Sequence, residues 1–297
     1  MAHRQGAFKA PAGIISGIPA EFPGSLRSVF AVLARSRLRP AALRGVYLVA
    51  RHFFGFQYKS SLFPGRVPVS WSDHPLDETI PFDPSWVTIY LSFIPFWVRM
   101  TGFLLIRRKR EDRALEFINA IAGLYLDASS VYRKNLSTTR RPFYIKNPSF
   151  LLIHITDPHL MCVPSLHVMI VIRCYTRMRE YAETPEAENA SYREAVFRHA
   201  LAITEAVLRV KQHGVNCVAA ALFAMSALDR NFPREEAVRF TAALFDSRFG
   251  NGAALKQHVL ALYGELLDAY TRSPSDGWAA PLLAFLEKLP QKQKSGA

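Results

Sequence analysis

Apolar positions along the chain recur at helical spacing, in segments separated by polar breaks. Ser25–Arg39 (SLRSVFAVLARSRLR) sets its apolar residues three and four apart, with Arg27, Arg35, Arg37 and Arg39 opposite. Ala41–Phe56 repeats the pattern, with Arg44 and Arg51 among aliphatic and aromatic residues. Basic amphipathic helices of this kind suit the plane of a membrane surface; packing on a soluble core with a solvated basic face fits the pattern equally well. Tyr58–Pro81, rich in Pro, Ser and Asp, predicts a loop.

Pro84–Ile106 (PSWVTIYLSFIPFWVRMTGFLLI) is the best candidate membrane span: its one charge, Arg99, lies close enough to an end to snorkel, and Trp86 and Trp97 suit an aromatic belt. The basic run Arg107–Arg113 (RRKREDR) that follows marks a cytoplasmic exit. Four shorter apolar helices are expected at Ala114–Tyr132, Cys162–Tyr175, Ala195–Val210 and Val215–Leu228. Each of the first three carries charges, such as Glu116, Asp127, Arg173, Arg198 and Glu205, that suit the inside of a bundle rather than lipid. Glu180–Glu194 predicts a loop, and from Asp229 the pattern is amphipathic and soluble up to a disordered QKQKSGA tail. The expected fold class is all-α: a membrane-embedded bundle of about six helices at residues 77–228. An interfacial region at 1–76 precedes it, and a soluble helical extension at 229–297 follows.

Composition narrows the partners. With 37 Lys+Arg against 24 Asp+Glu the formal charge is +13, which suits nucleic acid, an anionic membrane face or a phosphate-bearing substrate. Half the residues are hydrophobic, which excludes a disordered chain, and three cysteines without CxxC spacing argue against structural zinc or a disulfide scaffold. Met1–Gly24 is broken by three prolines and has no apolar run of signal-peptide length.

Three local patterns carry candidate chemistry. Lys134-Asn-Leu-Ser-Thr-Thr-Arg-Arg141-Pro142 offers a point charge and a guanidinium fork for a phosphoryl group. Pro164-Ser165-Leu166-His167 opens a helix, where free backbone N–H groups and the Ser165 hydroxyl suit an anion. Lys211-Gln212-His213 places a third basic group in an apolar stretch. Together they describe metal-free phosphoryl transfer, with His167 at the leaving oxygen and His213 as nucleophile.

The ordered set K-x6-RP, P-S-x-H and a third histidine segment resembles the type 2 phosphatidic acid phosphatase family. Asp77–Tyr90 and the KQH segment are similar to its lipid phosphatase and phosphosphingolipid-synthase branch. The resemblance covers about Asp77 to Ala224. It implies that Lys134, Arg141 and Ser165 bind phosphate, His167 is the general acid and His213 forms a phosphohistidine, with no cofactor and no metal. The third motif departs from the family pattern: Ala206, Val207 and Cys217 stand where Ser, Arg and the orienting Asp are usual, and Leu166 stands where Gly is common. Asn216, or Cys217 itself, is then left to orient His213.

If Pro84–Ile106 exits at the cytoplasm, the following helices bring all three motifs to the outer face. The leading reading is an integral protein of the cell membrane with an outward site, acting on a phospholipid or lipid phosphate. A second is a catalytically inactive member of the same fold that binds phospholipid headgroups. A third is a soluble basic helical protein that binds nucleic acid; its arginines scatter through apolar helices instead of forming a stripe, so nucleic acid is not the expected partner. Oligomeric state has no signature. Asp157 and His159 are secondary candidates for leaving-group contact, and the other histidines are assigned to surface or packing.

Overall fold

The computed structural model describes residues 18–181, 187–246 and 249–292, with only the backbone of 187–189. Helix accounts for 71% and strand for 3%, which makes the chain all-α. The helices are α1 (Ser25–Leu33), α2 (Leu38–Val49), α3 (Gly55–Leu62), α4 (Val87–Leu91), α5 (Phe93–Gly102), α6 (Glu111–Tyr132), α7 (Pro148–Thr156), α8 (Leu166–Tyr181), α9 (Ala187–Arg209), α10 (Val215–Leu228), α11 (Arg234–Leu244), α12 (Gly252–Arg272) and α13 (Ala279–Lys288).

At the centre lie α8 and α10. Every residue of α10 from Val215 to Met225 is buried, as a helix apolar on all sides apart from Asn216 in its first turn requires. Around this pair pack α6, α9 and α12, and α5 leans on α8. One continuous core joins Phe22, the central helices and Leu286. Packing runs across residues 76 and 228: α2 lies along α6, and α12 covers α10.

The candidate span is jointed. Pro84–Trp86 is a 3-10 turn, α4 ends at Leu91, and α5 begins after Ser92. Pro95 is the physical reason: it has no N–H for the Leu91 carbonyl, and its ring crowds that carbonyl, so the helix restarts with proline in the first turn. Pro84–Arg107 is long and apolar enough to cross a membrane, with a mean hydropathy of 1.6, and half of its most apolar window is buried within the protein. Among the described residues it is alone in meeting that test. Arg99 turns inward instead of snorkelling: its guanidinium binds the Phe22 carbonyl at 2.8 Å and the Pro23 carbonyl at 3.1 Å, pinning the segment that leads into α1.

Three other expectations change. Tyr58–Pro81 contains the end of α3 and a strand, β1 (Val69–Trp71), which pairs in parallel with β2 (Leu136–Thr138). Within Glu180–Glu194 the chain is already helical from Ala187; residues 182–186 lie outside the described residues. The tail begins as an added edge, Trp71 N–H bonding to the Pro290 carbonyl and Lys292 N–H to the Val69 carbonyl; residues 293–297 lie outside the described residues.

Candidate active site

Four helix ends meet around the second and third motifs. The Tyr132 hydroxyl, at the end of α6, donates to the Pro164 carbonyl. The Ser165 N–H, at the start of α8, donates to the Cys217 carbonyl in the first turn of α10. Between α9 and α10 the chain reverses over Lys211-Gln212-His213. Lys211 adopts a left-handed φ of 55°, the helix-ending conformation more often taken by glycine, and the Gln212 and His213 N–H groups bond back to the Val207 carbonyl.

Asp77 holds the far side of this turn. Its carboxylate accepts the Val215 N–H and the His74 N–H, each at 2.8 Å, so it caps α10 from a distant part of the chain. It comes this close because residue 214 is glycine; a Cβ there would stand 2.5 Å from the carboxylate. Burial nevertheless raises the Asp77 carboxyl above its usual range, against the pull of those two N–H groups.

The turn delivers His213 to a cavity of about 240 Å³. His213 Nδ1 lies 3.2 Å from the Cys162 carbonyl oxygen, and Nε2 lies 3.2 Å from His167 Nδ1. A carbonyl only accepts, so the His213 proton sits on Nδ1 and Nε2 presents a lone pair; His167 Nδ1 must then be the donor. Burial, and then the neighbouring His167, hold His213 well below the ordinary histidine range, so it is neutral at physiological pH. The rings of Tyr90 and Phe93, with centroids 4.8 and 4.3 Å away, wall His167.

Arg141 stands behind the cavity wall, bound to two of its lining residues, Gln212 and Asp157. Its guanidinium binds Gln212 Oε1 at 3.1 Å and the Asp157 carbonyl at 3.2 Å, and lies 3.7 Å from the Asp157 carboxylate. That carboxylate also accepts Gln57 Nε2 and the His159 N–H, each at 2.8 Å. Burial alone would raise Asp157, but the His159 and Arg141 contacts outweigh it and hold the group well below the usual carboxylate range. His159 in turn meets the Thr139 hydroxyl at 2.9 Å. Among the described residues, no group of three or more His, Cys, Asp or Glu side chains is arranged to hold a metal ion.

The structure thus brings His213 and His167 together and holds Arg141 behind them on Gln212 and Asp157, but treats the other sequence candidates differently. Lys134 is exposed and does not line the cavity. β2 occupies the middle of its motif, and extended chain advances about 3.3 Å per residue, so the two ends of the motif separate. Ser165 is fully buried outside the cavity lining; its N–H is taken by Cys217, and its hydroxyl has no partner. Asn216 does not orient His213: its amide donates to the Ser72 carbonyl and accepts from His258 Nε2 at 2.8 Å. Cys217 faces the Ser72 hydroxyl at 3.7 Å. The orienting acceptor is instead the Cys162 backbone, and all three cysteines are free.

Sequence reasoning missed Gln57, Tyr90, Phe93 and Gln212 as cavity residues, Asp77 as the cap, and His258, which stacks on His74 with centroids 3.7 Å apart. Compared with models of known families, with curated proteins and with solved structures, the chain matches none.

Proposed function

We propose that this chain is a membrane phosphatase or phosphotransferase that acts on a lipid phosphate or phosphodiester through a phosphohistidine on His213, at a site facing outward from the cell membrane. The observation that carries the reading is the position of His213. Its Nδ1 proton is fixed on the Cys162 carbonyl, and its neutral Nε2 lone pair faces a cavity beside His167 and Arg141.

In the resting arrangement His167 occupies the direction from which phosphorus must approach, so an entering phosphate displaces the imidazole from Nε2. The phosphate's negative charge, next to Arg141, favours the protonated form of His167. His213 Nε2 then forms the N–P bond, the P–O ester bond breaks, and His167 gives its proton to the leaving oxygen. Water or an alcohol attacks next, His167 takes back a proton, and the N–P bond breaks. A carbonyl dipole supports the cationic phosphohistidine less than a carboxylate would, so turnover is slow; loss of the carboxylate from a hydrolytic triad costs on the order of 10⁴.

A second reading, a headgroup-binding protein without turnover, draws on the exposure of Lys134 and on a backbone carbonyl, with no carboxylate among the described residues, at His213 Nδ1. Phosphate release from a panel of lipid phosphates in EDTA separates the two. Metal-independent release that His213→Ala abolishes supports the enzyme. Binding without release, weakened tenfold or more by Arg141→Ala, supports the binder; a lack of both release and binding would overturn both readings.

A further inference from the structure

A second cavity, of about 510 Å³, lies between α1, α2, α5 and α6. Its wall is almost wholly hydrocarbon, including Val32, Val49, Val98 and Ile118. Of the three hydroxyl-bearing residues that line it, Ser28 donates to the Gly24 carbonyl and Thr101 to the Trp97 carbonyl, and Tyr125 is the third; the indole N–H of lining Trp97 is buried without a partner. The groove thus offers an occupant mainly apolar contact, with few polar groups on its wall.

Phe54, Ile94 and Tyr125 line both this groove and the histidine cavity, so the two adjoin across these side chains. Its outer wall carries Leu43 and Val46, which are 56% and 68% exposed. Exposed aliphatic groups at the rim of an apolar groove place its mouth against an apolar medium.

We infer that the groove holds one hydrocarbon chain of the substrate while the attached phosphate lies between His213 and Arg141, so that the substrate class is a phosphate ester with a single long chain in the protein. This rests on the phosphoryl-transfer reading of the histidine cavity. Taking a methylene as similar in volume to a water molecule, roughly 30 Å³, the groove holds on the order of 17 carbons. A second chain of that length would have to lie outside it.

Alkyl phosphonates test this, since they keep the charged head and cannot be hydrolysed. The full chain is held in a steroid detergent, which has no flexible tail to compete, and binding of propyl to dodecyl phosphonate is measured calorimetrically. Affinity should rise about fourfold per added methylene. A bromine in mid-chain should quench the fluorescence of groove-lining Trp97, and Trp97→Phe should remove that quenching.

Val46→Trp, at an exposed rim position that leaves the core intact, and Ala122→Trp, on the groove wall, should each cost dodecyl phosphonate at least tenfold and leave propyl phosphonate unchanged. Propyl phosphonate binding without any dependence on chain length would overturn the groove assignment and leave the phosphate site standing. Equal binding of dodecanol and dodecyl phosphonate, both lost in Val46→Trp, would overturn the link between the groove and a phosphate site. It would count against the phosphoryl reading itself.

Discussion

Replacing Gly214 by alanine tests how the third motif is held. Gly214 has φ −102° and ψ 178°, extended backbone that alanine adopts without strain, so the only penalty is spatial. The new methyl group would lie 2.5 Å from the nearer Asp77 carboxylate oxygen and 2.9 Å from its carboxyl carbon, distances a side chain must move to relieve. Moving Asp77 breaks its bonds to the Val215 and His74 N–H groups, both 2.8 Å long. Hydrogen bonds to charged groups contribute about 1.5–3 kcal/mol each, and the displaced carboxylate recovers part of this from water. The expected loss is about 2–4 kcal/mol, or an apparent Tm lower by roughly 3–6 °C. A double-mutant cycle with Asp77→Ala decides the cause. In the Asp77→Ala background the methyl group has no carboxylate to meet, so Gly214→Ala should then cost less than about 1 kcal/mol. A wild-type melting curve for Gly214→Ala, or simple additivity of the two changes, would refute the reasoning.

Two further predictions concern pH. Burial, and then the charge of neighbouring His74, lower His258 from 6.5 to about 4. The unfolded chain therefore binds a proton that the folded chain refuses between those values, and stability falls as pH drops through that window. His258→Gln keeps a donor for Asn216 and removes the titration, so its stability-against-pH curve should be flatter there; an unchanged slope would show that His258 does not contribute. Asp157 behaves as a depressed carboxylate: its contribution is present above the ordinary value of 3.8 and is lost as pH falls toward its lower folded value. Asp157→Asn should weaken the protein at pH 7 and shallow its acid limb, measured by denaturant unfolding, whereas a parallel curve would remove Asp157 from the network.

The helices and the site were legible to different degrees, for physical reasons. Val215–Leu228 and the long helix ending at Tyr132 were readable because apolar spacing and burial coincide there. The break at Ser92 had a visible cause in Pro95, yet the apolar run around it reads as continuous, since hydropathy ignores a missing N–H. His167, His213 and Arg141 could be picked out because their chemistry is in their side chains. The orienting group of His213 could not, because the Cys162 carbonyl is a backbone atom that any residue would supply. Asp77 was missed as the cap because it meets Val215 from 138 positions away, and no local spacing encodes that contact. Lys134 misled for a related reason: Leu136–Thr138 pairs with Val69–Trp71, and that distant pairing turns an apparent phosphate clamp into an extended segment.

The central claim, that His213 carries the phosphoryl group, is tested most directly by trapping the intermediate. The protein is mixed with a radiolabelled lipid phosphate in EDTA, quenched in base, and mapped by peptide. The account predicts an acid-labile, base-stable label on the peptide containing His213, absent from His213→Ala and accumulated in His167→Ala only with substrates whose leaving group needs no proton. Phosphate release without any labelled histidine, or a label that persists in His213→Ala, would contradict it.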